Sequence, residues 1–367
     1  MTTPASAGSL GFLSPRRWPW WVTVPILFAI AVVALYAWLP GPSRHVVPQD
    51  LIEGVVIGSI YVLGASGLTL TYGVKKFANF AHGDMMTVGA YVAYFFTVSL
   101  GASLILGFVY AMLVVALMGI VLEILIFHWL EKRGDIAALI ASVGVSLILQ
   151  NCVQVIFLST VHTMNFQIPQ DVPLGPTGLS ISWFKAAIIG IAVGLMVFLH
   201  VLLKYTTLGK AMRACSDDID LARASGINTF NVILWTWGIS GGLAGIAGVL
   251  LALEVYVSPY VGFFILLFIF AAVIVGGIGS PYGAMIGGLL IGIVQTLSGT
   301  FFGQLTNMGL LQNGASYDSA GAFLVLIAVL LLKPEGIMGR RRPSEGRRRH
   351  RWTVARKVPK EVAQHGD

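Results

Sequence analysis

The chain has 367 residues, a formal net charge of +7, 56% apolar residues and only 11% charged ones. Soluble domains carry about a quarter charged residues, so this balance excludes an ordinary water-soluble enzyme or binding module and points to a lipid bilayer. Only structures that satisfy every backbone group internally survive in hydrocarbon, and strand-like alternation is missing, so the expected class is all-α, a polytopic transmembrane helical bundle.

Crossing the hydrocarbon core takes roughly 20 helical residues. Apolar runs place spans at 20–39, 51–72, 85–100, 102–127, 136–158, 183–203, 230–253, 262–277, 283–300 and 319–332, about ten in all. With the N-terminus assigned to the cytoplasm, alternate loops fall inside, and the Lys and Arg distribution can be checked against that assignment. Of the 23 such residues, ten lie in inside segments before Lys333 and eleven from Lys333 onward, leaving only Arg44 and Lys185 outside. Both termini are therefore expected in the cytoplasm. The chain divides into a cytoplasmic segment at 1–19, an added first span at 20–39, a main transmembrane domain at 51–332 and a basic tail at 333–367.

The run from Trp20 to Leu39 is too long for an ordinary signal-peptide core and has no clear small-residue cleavage site before Pro40, so it reads as a retained span or signal-anchor. Next comes "NFAHGD", with Asn79, His82 and Asp84 at the inside entry to the third span. Asp84 suits a helix N-terminus, where exposed amides and the helix dipole favour a carboxylate, and Asn79 suits a cap or turn before it. His82 and Asp84 are too close in sequence to share a helix face and have no second metal ligand at helical spacing, so catalysis and metal binding are disfavoured. His82 reads first as a hydrogen-bonded structural residue, with a gate or substrate contact as the alternative.

Cys152 and Cys215 suggest neither a disulfide framework nor a metal site. The longest inside loop, 204–229, contains Gly209, Arg213 and the acids Asp217, Asp218 and Asp220. The pattern predicts one short amphipathic helix over 217–225 that opens on these acids, includes Ala222 and stops at Gly226. Its length favours a docking element for a soluble partner over a plain connector. Further on, "GGLAGIAGVLLAL" at 241–253 reads as a close-packing face. The stretch "GGIGSPYGA", with Gly276, Gly277 and Gly279, reads either as an interrupted helix lining a pathway or as a tight turn. The basic tail is expected to contact anionic lipid, with nucleic-acid binding disfavoured.

Several motifs in order carry a family resemblance: "NFAHGD", "LIASVGVSLILQN" at 139–151, "RACSDDIDLARASGINTFNVI" in the long inside loop, "GGIGSPYGAMIGGLLIGI" and "LLLKPEGIMGRR". They resemble the permeases of branched-chain amino acid (LIV-type) ABC importers, and "NFAHGD" resembles the H-type subunit. "DLARASG" resembles a degenerate EAA-type loop that engages an ATPase. The resemblance runs from about Leu51 to Arg342; the first span and the long tail depart from it. It implies an ABC importer permease architecture in a prokaryotic inner membrane, with a second M-type permease, two cytoplasmic ATPases and an external binding protein as partners. The loop residues Gly209, Arg213, Asp217, Asp218, Asp220, Ala222 and Gly226 would then be the ATPase-coupling elements, while Asn79, His82, Asp84, Gly276, Gly277 and Gly279 are candidates for the pathway or its gating.

No G-x-x-x-x-G-K-[ST] loop occurs, so the expectation is a transport subunit without cofactor, its ATP hydrolysed by a partner. An ion-coupled secondary transporter is the nearer rival, but it needs ionisable residues within the bundle. The candidates Glu53, Glu123, Lys185 and Glu254 read as span-end groups able to reach the interface. An intramembrane serine protease built on Ser66 needs a histidine at the same depth, and every histidine reads as lying in a loop or at a span end. Branched-chain amino acids are the expected substrates, with urea or short amides as the alternative.

Overall fold

The computed structural model describes residues 34, 36–37, 46–130, 133–164, 172–173 and 179–339. Apart from residues 34, 36 and 37, the expected first span lies outside them, as does the basic tail beyond 339.

The elements run α1 (Val46–Lys75), α2 (Ala81–Tyr94, followed by a π-helical turn Phe95–Ser99), and α3 (Leu104–Leu122). A π-helical turn at Glu123–Phe127 carries α3 on to His128–Leu130, and α4 (Asp135–Phe157) comes next. Two-residue strands β1 (Val172–Pro173) and β2 (Ser180–Ile181) pair antiparallel. Then come α5 (Trp183–Tyr205), α6 (Thr207–Asp217), α7 (Ile219–Ala224), α8 (Thr229–Glu254), α9 (Val261–Gly276), α10 (Pro281–Asn307) and α11 (Asp318–Leu332). Six of the described helices, α1, α3 carried to Leu130, α4, α5, α8 and α10, are long and apolar enough to cross a membrane. Each span expected from residue 51 onward coincides with a helix, although α10 continues to Asn307 where the sequence suggested an end near 300.

Polar caps set many of the boundaries. Ser182, Thr206, Asn228 and Ser280 each accept a hydrogen bond from a first-turn amide, and Pro281 fills the first helical position of α10. The interior is built around α1 and α8, the two most buried of the long helices. The glycine-rich run of α8 does serve as a packing face: a Cβ on Gly241 would lie 2.5 Å from the Val115 carbonyl oxygen, and one on Gly245 2.6 Å from that of Ala111. Helices α3 and α8 therefore touch backbone to backbone and run antiparallel, the close approach that drives association where lipid supplies no hydrophobic difference. On the Lys75 side, Phe77 stacks on Phe127, and Phe127 on Trp237, with centroids 5.2 and 4.8 Å apart. Peripheral faces of α3, α4 and α11 expose large apolar side chains such as Ile105, Leu125, Ile136, Val155 and Leu331, as a bilayer-facing surface should.

Two expectations change. The loop 204–229 forms two helices, because Asp218 leaves helical geometry and caps α7 through its Oδ1, accepting from the amides of Asp220 at 3.1 Å and Leu221 at 3.0 Å. Asp217 therefore ends α6 instead of opening a helix. Second, Glu123 is not an interface group: it is fully buried and paired at 2.6 Å with Lys75, itself only 6% exposed. Of the two readings of "GGIGSPYGA", the structure has the tight turn, between α9 and α10, with Gly277 at φ 111° and Gly279 at φ 82°.

Candidate functional site

Helix α2 begins deep within the bundle, not at its edge. The His82 ring Nε2 lies 3.0 Å from the Gly64 carbonyl oxygen. Gly64 precedes the α1 terminus at Lys75 by eleven residues, roughly 16 Å of helix at 1.5 Å per residue. The connecting residues, Lys76 to Phe80, lie outside regular helix, with Lys76 at φ 61° and a bend at Phe77. The chain thus leaves α1 at one end and returns to mid-height before α2 starts. Irregular backbone at such depth survives only where protein groups satisfy it. Here the Phe80 amide donates to Ser142 Oγ at 3.1 Å, the Ala81 amide to Asn79 Oδ1 at 3.1 Å, and the Ser142 hydroxyl donates to the Leu139 carbonyl at 2.7 Å.

All three "NFAHGD" candidates are buried at the start of α2, but they face different neighbours: His82 turns to α1, Asp84 to α4, and Asn79 to the Ala81 amide. Asn79 and His82 are fully buried and Asp84 is 1% exposed. The Asp84 carboxylate accepts from the Ser146 hydroxyl and, at 3.1 Å, from Gln150 Nε2. Ser142, Ser146 and Gln150 are spaced four residues apart and form the polar part of the one stripe that α4 buries. Among the described residues no Lys or Arg pairs with Asp84; two neutral donors and its first-turn position on α2 stabilise the charge. His82 is also fixed by packing, since a Cβ on Gly67 would lie 2.9 Å from its Cε1. Because Nε2 faces a carbonyl it must carry the proton, which leaves Nδ1 as an acceptor without a hydrogen-bond partner among the described residues.

His82 therefore sits at mid-helix depth against Gly64 and Gly67, on either side of Ser66, and not at a span end as the sequence suggested. Its ring bonds to backbone, and the Ser66 hydroxyl has no partner among the described residues, so the serine–histidine pair a protease needs is not formed.

The long-loop candidates lie on α6 and α7, at the Lys75 end of the bundle. Gly209 is buried where α6 turns away from α5, its amide donating to Thr206 Oγ1 at 3.0 Å. Arg213, Asp217, Asp218 and Asp220 are exposed. Gly226 has φ 85° and closes α7 in a Schellman arrangement, with the Gly226 amide bonded to the Arg223 carbonyl and the Ile227 amide to that of Ala222. Ala222 points inward, 4% exposed within the chain's own core. Leu221, 65% exposed, stands on the outward face beside Asp220.

Gly276, Gly277 and Gly279 are accounted for by the α9–α10 turn. The segment after α11 folds back over it, the Ile337 and Met338 amides donating to the Val275 and Gly276 carbonyls at 2.7 and 2.8 Å. These contacts satisfy orphan carbonyls at the end of α9.

Sequence reasoning missed the serine and glutamine stripe of α4, although its four-residue spacing was readable, and it missed Lys76. The Lys76 ammonium donates to the Gly73 carbonyl at 2.5 Å and to the Ser216 carbonyl of α6 at 2.6 Å.

Comparison with known proteins adds an independent line. The family described as "Branched-chain amino acid transport system / permease component" matches residues 51–332. The chain is similar to the high-affinity branched-chain amino acid transport system permease protein LivH of Escherichia coli K12, with 34% identity over 305 residues, 80% of this chain and 95% of that one. BraD of Pseudomonas aeruginosa, described as a permease of the same kind of system, is 32% identical over the same shares. LivM of Escherichia coli K12 is more distant, 23% identical over 86% of this chain and 76% of that one.

Proposed function

The chain belongs to the branched-chain amino acid transport permease family, and from that premise we propose that it is the H-type transmembrane subunit of an ATP-driven importer of branched-chain amino acids. The observation that carries this reading is the match to LivH, which runs through 95% of that protein's length. A prokaryotic inner membrane is the location that fits, with ten spans and both termini in the cytoplasm. On this reading the Lys75 end of the bundle is the cytoplasmic end, in keeping with its charges.

The remaining parts of the machine are those the family resemblance implies, and the chain's own physics is compatible with them. It has no phosphate-binding loop, so hydrolysis falls to two cytoplasmic ATPases docking on α6 and α7. The docking face is Asp220, Leu221, Arg213 and Asp217, with Ala222 and Gly226 shaping the helix beneath it. An M-type permease completes the pathway, and an external binding protein supplies the substrate. We place the gate at the junction of α2 and α4, where a non-helical segment returns to mid-height and polar side chains replace apolar packing. Such a break in a membrane helix is where transporters commonly expose backbone to a substrate.

Reconstitution of the chain with an M-type partner, two ATPases and the binding protein in liposomes tests this. Leucine uptake should require ATP and all the components. Uptake driven by a proton or sodium gradient without ATP would overturn the reading, and so would a binding protein that takes urea tightly and leucine not at all.

A further inference from the structure

Lys76 occupies an unusual position. It follows directly on α1, and its backbone has φ 61°, a left-handed conformation that a non-glycine residue adopts only at a cost. Its ammonium holds two backbone carbonyls at once, Gly73 of α1 and Ser216 of α6. Helix α6 rests on the same place, for a Cβ on Gly73 would meet Ser216 Oγ at 3.3 Å. Immediately beyond Lys76 a short connecting segment, bent at Phe77, runs to Phe80 and Ala81, whose amides bind Ser142 and Asn79 at the start of α2. Its neighbour Lys75 makes a different attachment, pairing with Glu123 and fixing the end of α1 to α3.

We infer that Lys76 is the positioning residue that transmits displacement of α6 and α7 to the α2 N-terminus. The inference rests on the reading of this chain as an ATP-driven permease and adds to it the route by which the two events are coupled. Movement of α6 changes the place of the Ser216 carbonyl, and the ammonium bonded to it carries the first residue of the connecting segment along. Only five residues separate α1 from α2, and their far end is pinned by the Phe80–Ser142 and Ala81–Asn79 hydrogen bonds, so the pull arrives at Phe80 and the α2–α4 contacts. The Lys75–Glu123 pair holds α1 still, which makes the segment move relative to the bundle instead of with it.

The test compares Lys76→Gly with Lys76→Arg in the complete reconstituted complex. Glycine is at home at φ 61°, so this variant keeps the backbone and removes the ammonium together with its bonds to Gly73 and Ser216. Binding-protein-stimulated ATP hydrolysis should persist while leucine moved per ATP falls by about tenfold or more, within the usual range for coupling between two sites. Arginine, which retains cationic donors, should restore most of the transport. A Lys76→Gly complex that couples like the unaltered one overturns the inference, as does one that assembles but loses hydrolysis and uptake together. Hydrogen exchange on the unaltered complex gives a reading that does not depend on any variant: exchange across residues 77–83 should change with 207–224 between nucleotide-free and ATP-trapped states. Unchanged 77–83 would also overturn it. Failure of the unaltered complex to take up leucine with ATP would instead strike the proposed function itself.

Discussion

Removing Ser146 Oγ by Ser146→Ala takes one of two donors from a buried carboxylate, and the structure bounds the cost. Interhelical hydrogen bonds in membrane proteins average about 0.6 kcal/mol and reach about 1.7. A bond to a charged acceptor belongs at the upper end of such ranges, and leaving a buried charge short of a donor adds to the loss. Asp84 keeps its bond from Gln150, so the deficit is partial. Ser146→Ala should therefore destabilise the protein by about 1.5 kcal/mol. The assay is a double-mutant cycle with Asp84→Ala, read by unfolding in detergent. Since the Ser146 hydroxyl has no other hydrogen-bond partner among the described residues, the double variant should cost about 1.5 kcal/mol less than the sum of the singles. Additive effects would refute the claim that α4 is held to α2 through this carboxylate.

Other outcomes follow from the same geometry. Lys75→Met removes the ammonium 2.6 Å from the buried Glu123 carboxylate and should destabilise the protein by up to about 3–5 kcal/mol, and adding Glu123→Gln should recover part of it; thermal unfolding of the pair checks this. Leu221→Glu alters an exposed side chain, so the permease should fold and span normally yet lose ATPase stimulation, whereas Ala222→Asp, at a buried site, should lower the stability of the α6–α7 region as seen by limited proteolysis. Gly277→Ala forces a side chain into φ 111° and should destabilise the α9–α10 turn by about 1–3 kcal/mol, measured as faster hydrogen exchange in residues 275–280. Burial raises the Cys215 thiol above its ordinary pKa, so its thiolate fraction is small at neutral pH; labelling in the folded protein should be slow there and accelerate as pH rises, and fast labelling at neutral pH would contradict the packing of α6.

Much of the bundle was legible in advance because hydropathy and charge report directly on what lipid tolerates. The helices from α1 to α11 that match expected spans, the packing face of α8 and the placing of the long loop all follow from residue type and spacing. Depth was not legible. "KKFANFAHGD" reads as an interface loop followed by a helix start, and only the contact of His82 with Gly64 reveals that the helix starts at mid-height. Pairings distant in sequence were equally hidden: Lys75 with Glu123, and Asp84 with Ser146 and Gln150, depend on how helices meet. The long loop misled for a local reason. Consecutive acids look like one helix N-terminus, but Asp218 adopts extended geometry and uses its carboxylate to begin a second helix. Ala222 then faces inward, which spacing alone did not decide over so short a helix.

The central claim is that the pathway opens along α2 and α4. Ser142 lies at this junction, fully buried and bonded to the Phe80 amide. Its replacement by cysteine, in a chain with Cys152 and Cys215 changed to serine, gives a near-isosteric probe for a water-soluble thiol reagent during turnover in the reconstituted complex. The account predicts protection in the resting state and modification once ATP and liganded binding protein are present. Protection of residue 142 throughout a cycle that still transports leucine would contradict it.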